Sequence, residues 1–165
     1  MTVPAPLEIY RAVVEPDWID YNGHMNVAYY VLVFDRATDA FLDYLGLDEA
    51  LREAVGSSTF SVEAHITYQR EVVEGDPLRF TTQLLGYDEK RIHYLHYMYH
   101  AEAGFLASTI EWMTLHVDLN ARKVGPMPAQ VLARLAEVMA SHAGLPMPAE
   151  AGRVIRRPDG SAVRA

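Results

Sequence analysis

The longest apolar pattern in the sequence is a stripe that starts at Val27 and repeats with the period of an α-helix. Its side chains recur three and four residues apart over about five turns, which aligns them on one face. Asn26 is a suitable N-cap, and Gly46 can supply the left-handed residue that ends a helix. The pattern predicts one long amphipathic helix with its stripe at Val27, Tyr30, Val31, Phe34, Ala37, Thr38, Phe41, Leu42 and Leu45.

Five other segments have residues typical of β-strands and are bounded by Pro, Gly, Asn or Asp. One precedes the long helix, and four follow a short helical piece with the sequence DEALREAV. The four later segments are joined by EGDP, GYDEK and AEAG, and connections this short favour antiparallel hairpins over crossovers. The predicted strands are residues 7–15, 60–71, 78–87, 91–101 and 105–118.

The order of these elements predicts an α+β fold in which a curved antiparallel five-stranded sheet wraps around the long central helix. A second amphipathic helix is predicted over residues 129–144. Long strands leave an exposed sheet edge in a monomer, and pairing across a two-fold axis would cover it, so we expect a homodimer or homotetramer. We expect one domain over residues 1–148 and a partly mobile C-terminal tail over residues 149–165.

The composition excludes several classes of protein. The chain has 165 residues, half of them apolar, which fits a single domain with a substantial core. Its net charge of −8, without a basic stripe, argues against nucleic-acid binding. We expect no membrane association, because no apolar run reaches the roughly 18 residues of a span and the N-terminus lacks a signal-peptide pattern. The absence of cysteine excludes thiolate chemistry and suits a cytoplasmic location.

The segment DWIDYNGHMN, residues 17–26, places an acid, a glycine and a histidine directly before the long helix. A helix N-terminus offers unpaired N–H groups and favours negative charge. The segment can therefore be an active site built on helix geometry. It can equally be a well-capped helix start, in which Asp20 closes a turn that Gly23 permits.

The element order, together with DYNGHMN, resembles the hot-dog-fold thioesterases of the 4-hydroxybenzoyl-CoA thioesterase-like branch. The motif of that branch is an acid, two residues, and then Gly-His-x-Asn at the helix entry, which here are Asp20, Gly23, His24 and Asn26. The segment VEAHITYQREVVEGDPL also resembles the family's strand that ends in Gly-Asp. The resemblance covers residues 7–128 and implies an acyl-CoA thioesterase with no metal or prosthetic group.

The resemblance also implies roles for individual residues. Thioester hydrolysis needs a nucleophile or general base at the carbonyl and donors for the oxyanion. By position, Asp20 is the carboxylate and the backbone N–H near Val27 is the donor. His24 is expected to polarise the thioester or orient Asp20, or only to bond backbone, and Asn26 to cap the helix, to act in catalysis, or both. Glu63 would be a second acid or the partner of His24 if its strand face meets the helix start, and otherwise a solvated strand residue.

A narrower resemblance concerns the acyl group. PDWIDYNGHM, VEAHITYQRE, LGYDEKRIHYLH and LHVD resemble the thioesterases of carnitine breakdown, which hydrolyse betainyl-CoA. The similarity departs directly after GHM, where the acyl-pocket helix begins, so it leaves the acyl group open. An aromatic cage for a quaternary ammonium group is one hypothesis, and core packing is the other. The candidate aromatic residues are Trp18, Tyr29, Tyr30, Tyr94, Tyr97 and Trp112.

Two further kinds of site follow from charge and spacing. Lys90 and Arg91, with Arg122 and Lys123, lie at predicted turns and are candidates to bind the phosphates of CoA, although such residues are usually only solvated. The histidines of RIHYLHYMYH do not predict a metal site. On a strand, His93 and His96 face opposite sides, and His96 and His100 lie roughly 13 Å apart, which is too far to share an ion.

Two other functions are compatible with the same fold. One is a non-catalytic protein that binds acyl-CoA or acyl carrier protein. The other is a hot-dog dehydratase, which relies on a differently placed His with an acid or on an Asp-His arrangement on the helix. The acid in the loop before Gly23 favours the thioesterase. A thioester hydrolase is therefore the function that the sequence favours most.

Overall fold

The computed structural model describes residues 3–155 and contains three α-helices and six strands within them. The strands are β1 (Leu7–Val13), β2 (Ser57–Tyr68), β3 (Pro77–Tyr87), β4 (Arg91–His100), β5 (Leu106–Asp118) and β6 (Lys123–Val124). The helices are α1 (Val27–Tyr44), α2 (Glu49–Val55) and α3 (Ala129–His142), and a single 3-10 turn covers Pro16–Trp18.

The strands form one antiparallel sheet in the order β1-β3-β4-β5-β2, and the two-residue β6 pairs with the end of β5. The sheet curves around α1, which confirms the predicted α+β architecture. The short β6 was not predicted. It adds a sixth strand to the five that the sequence indicated.

The β2 strand begins and ends three residues earlier than predicted. At its start, Gly56 is the C-cap of α2 with φ of 64°, so the chain turns out of that helix directly into the strand. At its end, the N–H groups of Gln69 and Arg70 both donate to the carbonyl of Ala107, which ends the regular ladder. The second of these features is a contact between two strands, and it cannot be predicted from the local pattern of side chains.

The α1 helix has the limits that its pattern predicted. Its apolar face is buried against the sheet, and burial of such side chains is worth about 1.5–3 kcal/mol for each large one. The chain leaves the helix at Gly46, whose φ of 82° is the left-handed conformation that glycine adopts at low cost. The buried helix residues are Tyr30, Val33, Phe34, Ala37, Thr38, Phe41 and Leu42.

A polar contact lies inside this apolar interface. The fully buried ring of His96 hydrogen-bonds Thr38 of α1 through Nε2 at 3.1 Å and Thr82 of β3 through Nδ1 at 2.8 Å. Burial lowers the pKa of His96 from 6.5 to about 3, so the ring is neutral. On the opposite face of β4, His93 Nε2 lies 2.7 Å from Glu111. The two histidines therefore point away from each other.

The outer face of the sheet carries the end of the described chain. The side-chain amide of Gln83 donates to the carbonyl of Pro146 at 3.1 Å, and the N–H of Gly152 donates to Glu111 Oε2 at 2.8 Å. The remaining tail residues, 156–165, where we expect mobility, lie outside the described part. No helix among residues 3–155 is long and apolar enough to cross a membrane.

Protonation of His96 should make the fold sensitive to acid. Because its folded pKa lies below its unfolded value of 6.5, the unfolded chain binds more protons as the pH falls through 6.5. We expect this group to cost about 2 kcal/mol of unfolding free energy between pH 7.5 and pH 5. Urea unfolding at both pH values should show that His96→Gln loses less unfolding free energy than the wild type between pH 7.5 and pH 5. An equal loss of unfolding free energy in wild type and variant would show that His96 is not responsible. Burial also lowers the pKa of His142, but that group contributes equally to both proteins.

Candidate active site

The loop before α1 is closed by a turn that Asp20 organises. The N–H of Gly23 donates to the Asp20 carbonyl at 3.0 Å, and the N–H of Asn22 donates to Asp20 Oδ1 at 2.7 Å. Gly23 has φ of 81°, a conformation that favours glycine. Asp20 Oδ2 has no hydrogen-bond partner among the described residues, so one carboxylate oxygen holds the turn and the other is left for a ligand.

The first turn of α1 leaves one backbone donor open. Asn26 Oδ1 accepts from the Ala28 N–H at 2.9 Å, and the Asn26 carbonyl accepts from the Tyr29 N–H at 3.0 Å. The N–H of Val27 has no acceptor within the described part of the chain. Asn26 is therefore a helix cap, and its capping leaves the Val27 N–H as the donor at the helix start.

Trp18 anchors the loop by packing against its neighbours. Its carbonyl accepts from the Asn26 N–H at 2.8 Å. Its buried ring stacks on Tyr29 with centroids 5.8 Å apart, and the Arg36 guanidinium lies 5.4 Å from the ring. The structure therefore gives Trp18 a packing role, in place of the substrate contact that the sequence suggested.

Asp20 and the helix start open into one cavity of about 490 Å³. The loop and α1 supply one wall, which includes Asp20, His24, Asn26, Val27 and Tyr30. The other wall is the end of β2 and the residues that follow it, so a ligand in the cavity can meet an acid, a helix N-terminus and an aromatic pair. Gly23 shapes the loop without lining the cavity. The lining comprises residues 20–22, 24–27, 30 and 68–71.

His24 is held loosely at the edge of the cavity. Its Nδ1 lies 3.4 Å from the Met25 carbonyl, and its Nε2 lies 4.0 Å from Glu71 Oε2. The backbone N–H of Asp20 donates to the His24 carbonyl at 3.1 Å, but the His24 ring makes no hydrogen bond to Asp20 in the described residues. The ring is placed to contact a ligand or Glu71 more readily than to orient Asp20.

Tyr30 and Tyr68 form the aromatic part of the cavity. Their rings meet edge to face, with centroids 5.2 Å apart at an angle of 89°. Burial raises the pKa of both phenols, so both stay neutral near pH 7. Of the six aromatic residues proposed as a cage, only Tyr30 lines this cavity. The others are packed elsewhere: Trp18 and Tyr29 against each other, Tyr94 and Trp112 on the helix face of the sheet, and Tyr97 on the outer face.

Glu63 lies away from the Asp20 cavity. A β-bulge between Ser61 and Glu63 adds one residue to β2, so Ser61 pairs with Thr114 whereas Glu63 pairs with Met113. The extra residue moves Glu63 to the outer face of the sheet. There it borders a separate cavity of about 280 Å³ together with His65. The structure does not bring Glu63 to His24.

Lys90 and Arg91 also lie far from Asp20. Lys90 lies in the turn between β3 and β4, and Arg91 is the first residue of β4, at the opposite end of the sheet from the residues that follow β2. The eleven residues of β3 run between these two ends, a length of about 35 Å along the strand. Arg91 is bound to Asp88 through Nε at 2.7 Å, and Lys90 lies 3.0 Å from Glu89. Within one subunit, neither cation reaches the cavity.

On the wall opposite the loop, the sequence reasoning missed all four cavity residues as site candidates: Tyr68, Gln69, Arg70 and Glu71. Their letters, YQRE, lie in a segment that was noted only for its resemblance to a family strand. The strand was predicted to run to residue 71, and an ordinary strand would have sent these side chains to alternate faces. The early end of β2 instead gathers them beside the helix start.

The matches to known proteins agree with this geometry. Residues 14–135 match the family model of the thioesterase-like superfamily, and the chain belongs to that superfamily. The predicted class of enzyme, a thioester hydrolase, is thereby confirmed.

A betainyl-CoA thioesterase from Pseudomonas aeruginosa is 43% identical over 152 residues, which cover 92% of this chain and 96% of that protein. A candidate thioesterase from Pseudomonas putida is 36% identical in sequence and similar in structure, with a TM-score of 0.81 over 94% of this chain and 99% of its own. A Staphylococcus aureus protein solved in complex with CoA has a TM-score of 0.87 at 27% identity, over 96% of this chain and all of its own. The predicted relationship to betainyl-CoA thioesterases is confirmed by the first of these matches.

Loss of the Asn26 cap should disturb both stability and the helix start. Asn26→Ala removes the acceptor of the Ala28 N–H and should lower the unfolding free energy by about 1 kcal/mol. Asn26→Ser retains a capping oxygen and should therefore keep most of the wild-type unfolding free energy. Urea unfolding checks the effect. Equal stability of wild type and Asn26→Ala would show that the cap contributes little here.

Proposed function

We propose that this chain is a cytoplasmic acyl-CoA thioesterase whose substrate is betainyl-CoA, which it hydrolyses to betaine and CoA. The observation that carries the proposal is that Asp20 and Val27 line one cavity, while Asp20 Oδ2 and the Val27 N–H have no hydrogen-bond partner within residues 3–155. The Pseudomonas aeruginosa relative supports the substrate, and the CoA-bound Staphylococcus aureus structure supports the CoA moiety. The absence of cysteine supports the compartment.

In the proposed reaction the thioester carbonyl lies between Asp20 and the start of α1. Asp20 either attacks the carbonyl carbon, giving an anhydride that water then hydrolyses, or removes a proton from the attacking water. In both routes the carbonyl oxygen becomes an oxyanion that accepts from the Val27 N–H, where the helix dipole also favours negative charge. The carbon–sulfur bond then breaks, CoA leaves as a thiolate that takes up a proton, and the acid is released.

The composition of the cavity supports a cationic acyl group. Tyr30 and Tyr68 line the cavity together with two carboxylates, those of Asp20 and Glu71. A quaternary ammonium group is attracted to aromatic faces by about 0.5–2 kcal/mol per contact, and carboxylates add to that attraction. A long aliphatic chain would gain neither contribution.

The first test of the proposal is the variant Asp20→Asn. Asn at position 20 can still accept from the Asn22 N–H, so the loop should fold, but it can neither attack the thioester nor take up a proton. We expect kcat to fall by at least about 100-fold, measured as thiol release with a thiol-reactive dye. Turnover close to that of the wild type would exclude Asp20 from the chemistry.

The acyl preference is measured in the same assay. The 3,3-dimethylbutyryl ester of CoA has the shape of the betainyl ester with carbon in place of the ammonium nitrogen. We expect a higher kcat/KM for betainyl-CoA than for this neutral control. A higher kcat/KM for the neutral ester would support a thioesterase but refute betainyl-CoA as its substrate. Tight binding of both esters without thiol release would indicate a non-catalytic binding protein.

We further propose that the enzyme is a homodimer formed by antiparallel pairing of two β2 strands. β2 is an edge of the sheet, since only β5 pairs with it in the described residues. Phe60 and Val62 on this strand are 48% and 54% exposed. A partner strand would satisfy the open backbone groups and cover these side chains. Because Tyr68 ends the same strand, the pairing would place the partner beside the cavity.

The variant Phe60→Lys tests this pairing. It should place two like charges near the two-fold axis, so we expect it to shift a dimer toward the monomer in light scattering. Val124→Lys changes a similarly exposed residue on β6 and serves as the control. A wild-type mass of one chain, 18.5 kDa, would contradict the dimer.

A further inference from the structure

Arg70 is the only permanently cationic side chain among the described residues that line the Asp20 cavity. The cavity otherwise has two carboxylates, and the chain as a whole has a net charge of −8. These negative charges would repel a substrate that carries phosphates unless a nearby cation compensated for the repulsion.

The Arg70 guanidinium is positioned without being neutralised. Its Cζ lies 4.0 Å from the centroid of the Phe105 ring, a cation–π contact that holds the planar group against the start of β5. Arg70 makes no ion pair within residues 3–155, and the carboxylate of the neighbouring Glu71 lies 4.0 Å from His24 Nε2. A stacked guanidinium keeps its N–H donors at its edge, in the geometry that binds phosphate oxygens.

The backbone gives the position of Arg70 a rigid support. Its N–H and that of Gln69 both donate to the carbonyl of Ala107, at 3.1 and 2.9 Å. Arg70 therefore follows the end of β2 on the side of β5, while Asp20 lies on the loop across the cavity. Its side chain is exposed, so a phosphate can approach it from solvent.

We infer that Arg70 binds a phosphate of the CoA moiety, with Phe105 holding the guanidinium in place for it. The inference rests on the proposed function and assigns a role that the sequence had suggested for Lys90 and Arg91. Either the diphosphate or the 3′-phosphate of CoA has the required chemistry. The pantetheine arm then extends from Arg70 toward the thioester at Asp20.

The test compares CoA esters with pantetheine esters of the same acyl group, which lack every phosphate. For Arg70→Gln we expect KM for the CoA ester to rise about tenfold with little change in kcat, and KM for the pantetheine ester to stay constant. Arg70→Lys should recover part of the loss, because it restores the charge but not the planar fork. Arg11→Gln, an exposed arginine that pairs with Glu8 on β1, is the matched control and should change neither KM.

The 3′-dephospho-CoA ester identifies the phosphate. If Arg70 binds the 3′-phosphate, the wild type loses its advantage over Arg70→Gln on this ester; if it binds the diphosphate, the advantage persists. An unchanged KM for the CoA ester, or an equal rise for the pantetheine ester, would overturn the inference. Calorimetric binding of free CoA to both proteins gives a readout that does not need turnover. If the wild type binds CoA through Arg70 but hydrolyses no ester, the proposed thioesterase activity is refuted, whereas the inferred contact between Arg70 and a phosphate is supported.

Discussion

The geometry of the site depends on two backbone hydrogen bonds that fix the place where α1 begins. The N–H of Asn26 donates to Trp18 within the loop, and the N–H of Met25 donates to the carbonyl of Val72 at 2.9 Å. The second bond joins the loop to the segment just after residues 68–71, so the two walls of the cavity are held together. Both bonds are between main-chain atoms. The side chains of the cavity can therefore differ between relatives while the position of the helix start is kept.

The parts of the structure that were predicted from the sequence are those that depend on neighbouring residues. The apolar period of α1, its Asn26 cap and its end at Gly46 are all determined within a few residues of chain. The turn at Asp20 is also local, and both interpretations of that residue, turn-former and candidate carboxylate, are compatible with the structure because they use different oxygens. The short-range patterns contain this information in full.

The parts that could not be predicted depend on pairing between strands. The bulge beside Ser61 decides that Glu63 faces outward, and no local pattern indicates it. The distance of Arg91 from the cavity follows from the length and direction of β3 and β4, whereas Arg70 reaches the cavity because β2 ends early. The sequence predicted that charged residues lie at turns. It did not predict which end of the sheet each turn occupies, because that depends on the assembled fold.

Glu111 joins the sheet to the C-terminal segment through its two carboxylate oxygens. One oxygen lies 2.7 Å from His93, and the other accepts the Gly152 N–H, with the Glu111 side chain only 14% exposed. This hydrogen bond is exposed to solvent, and it joins the C-terminal segment to the outer face of β5. The C-terminal segment up to Gly152 is thus attached to the sheet through this carboxylate, although it has no regular secondary structure of its own.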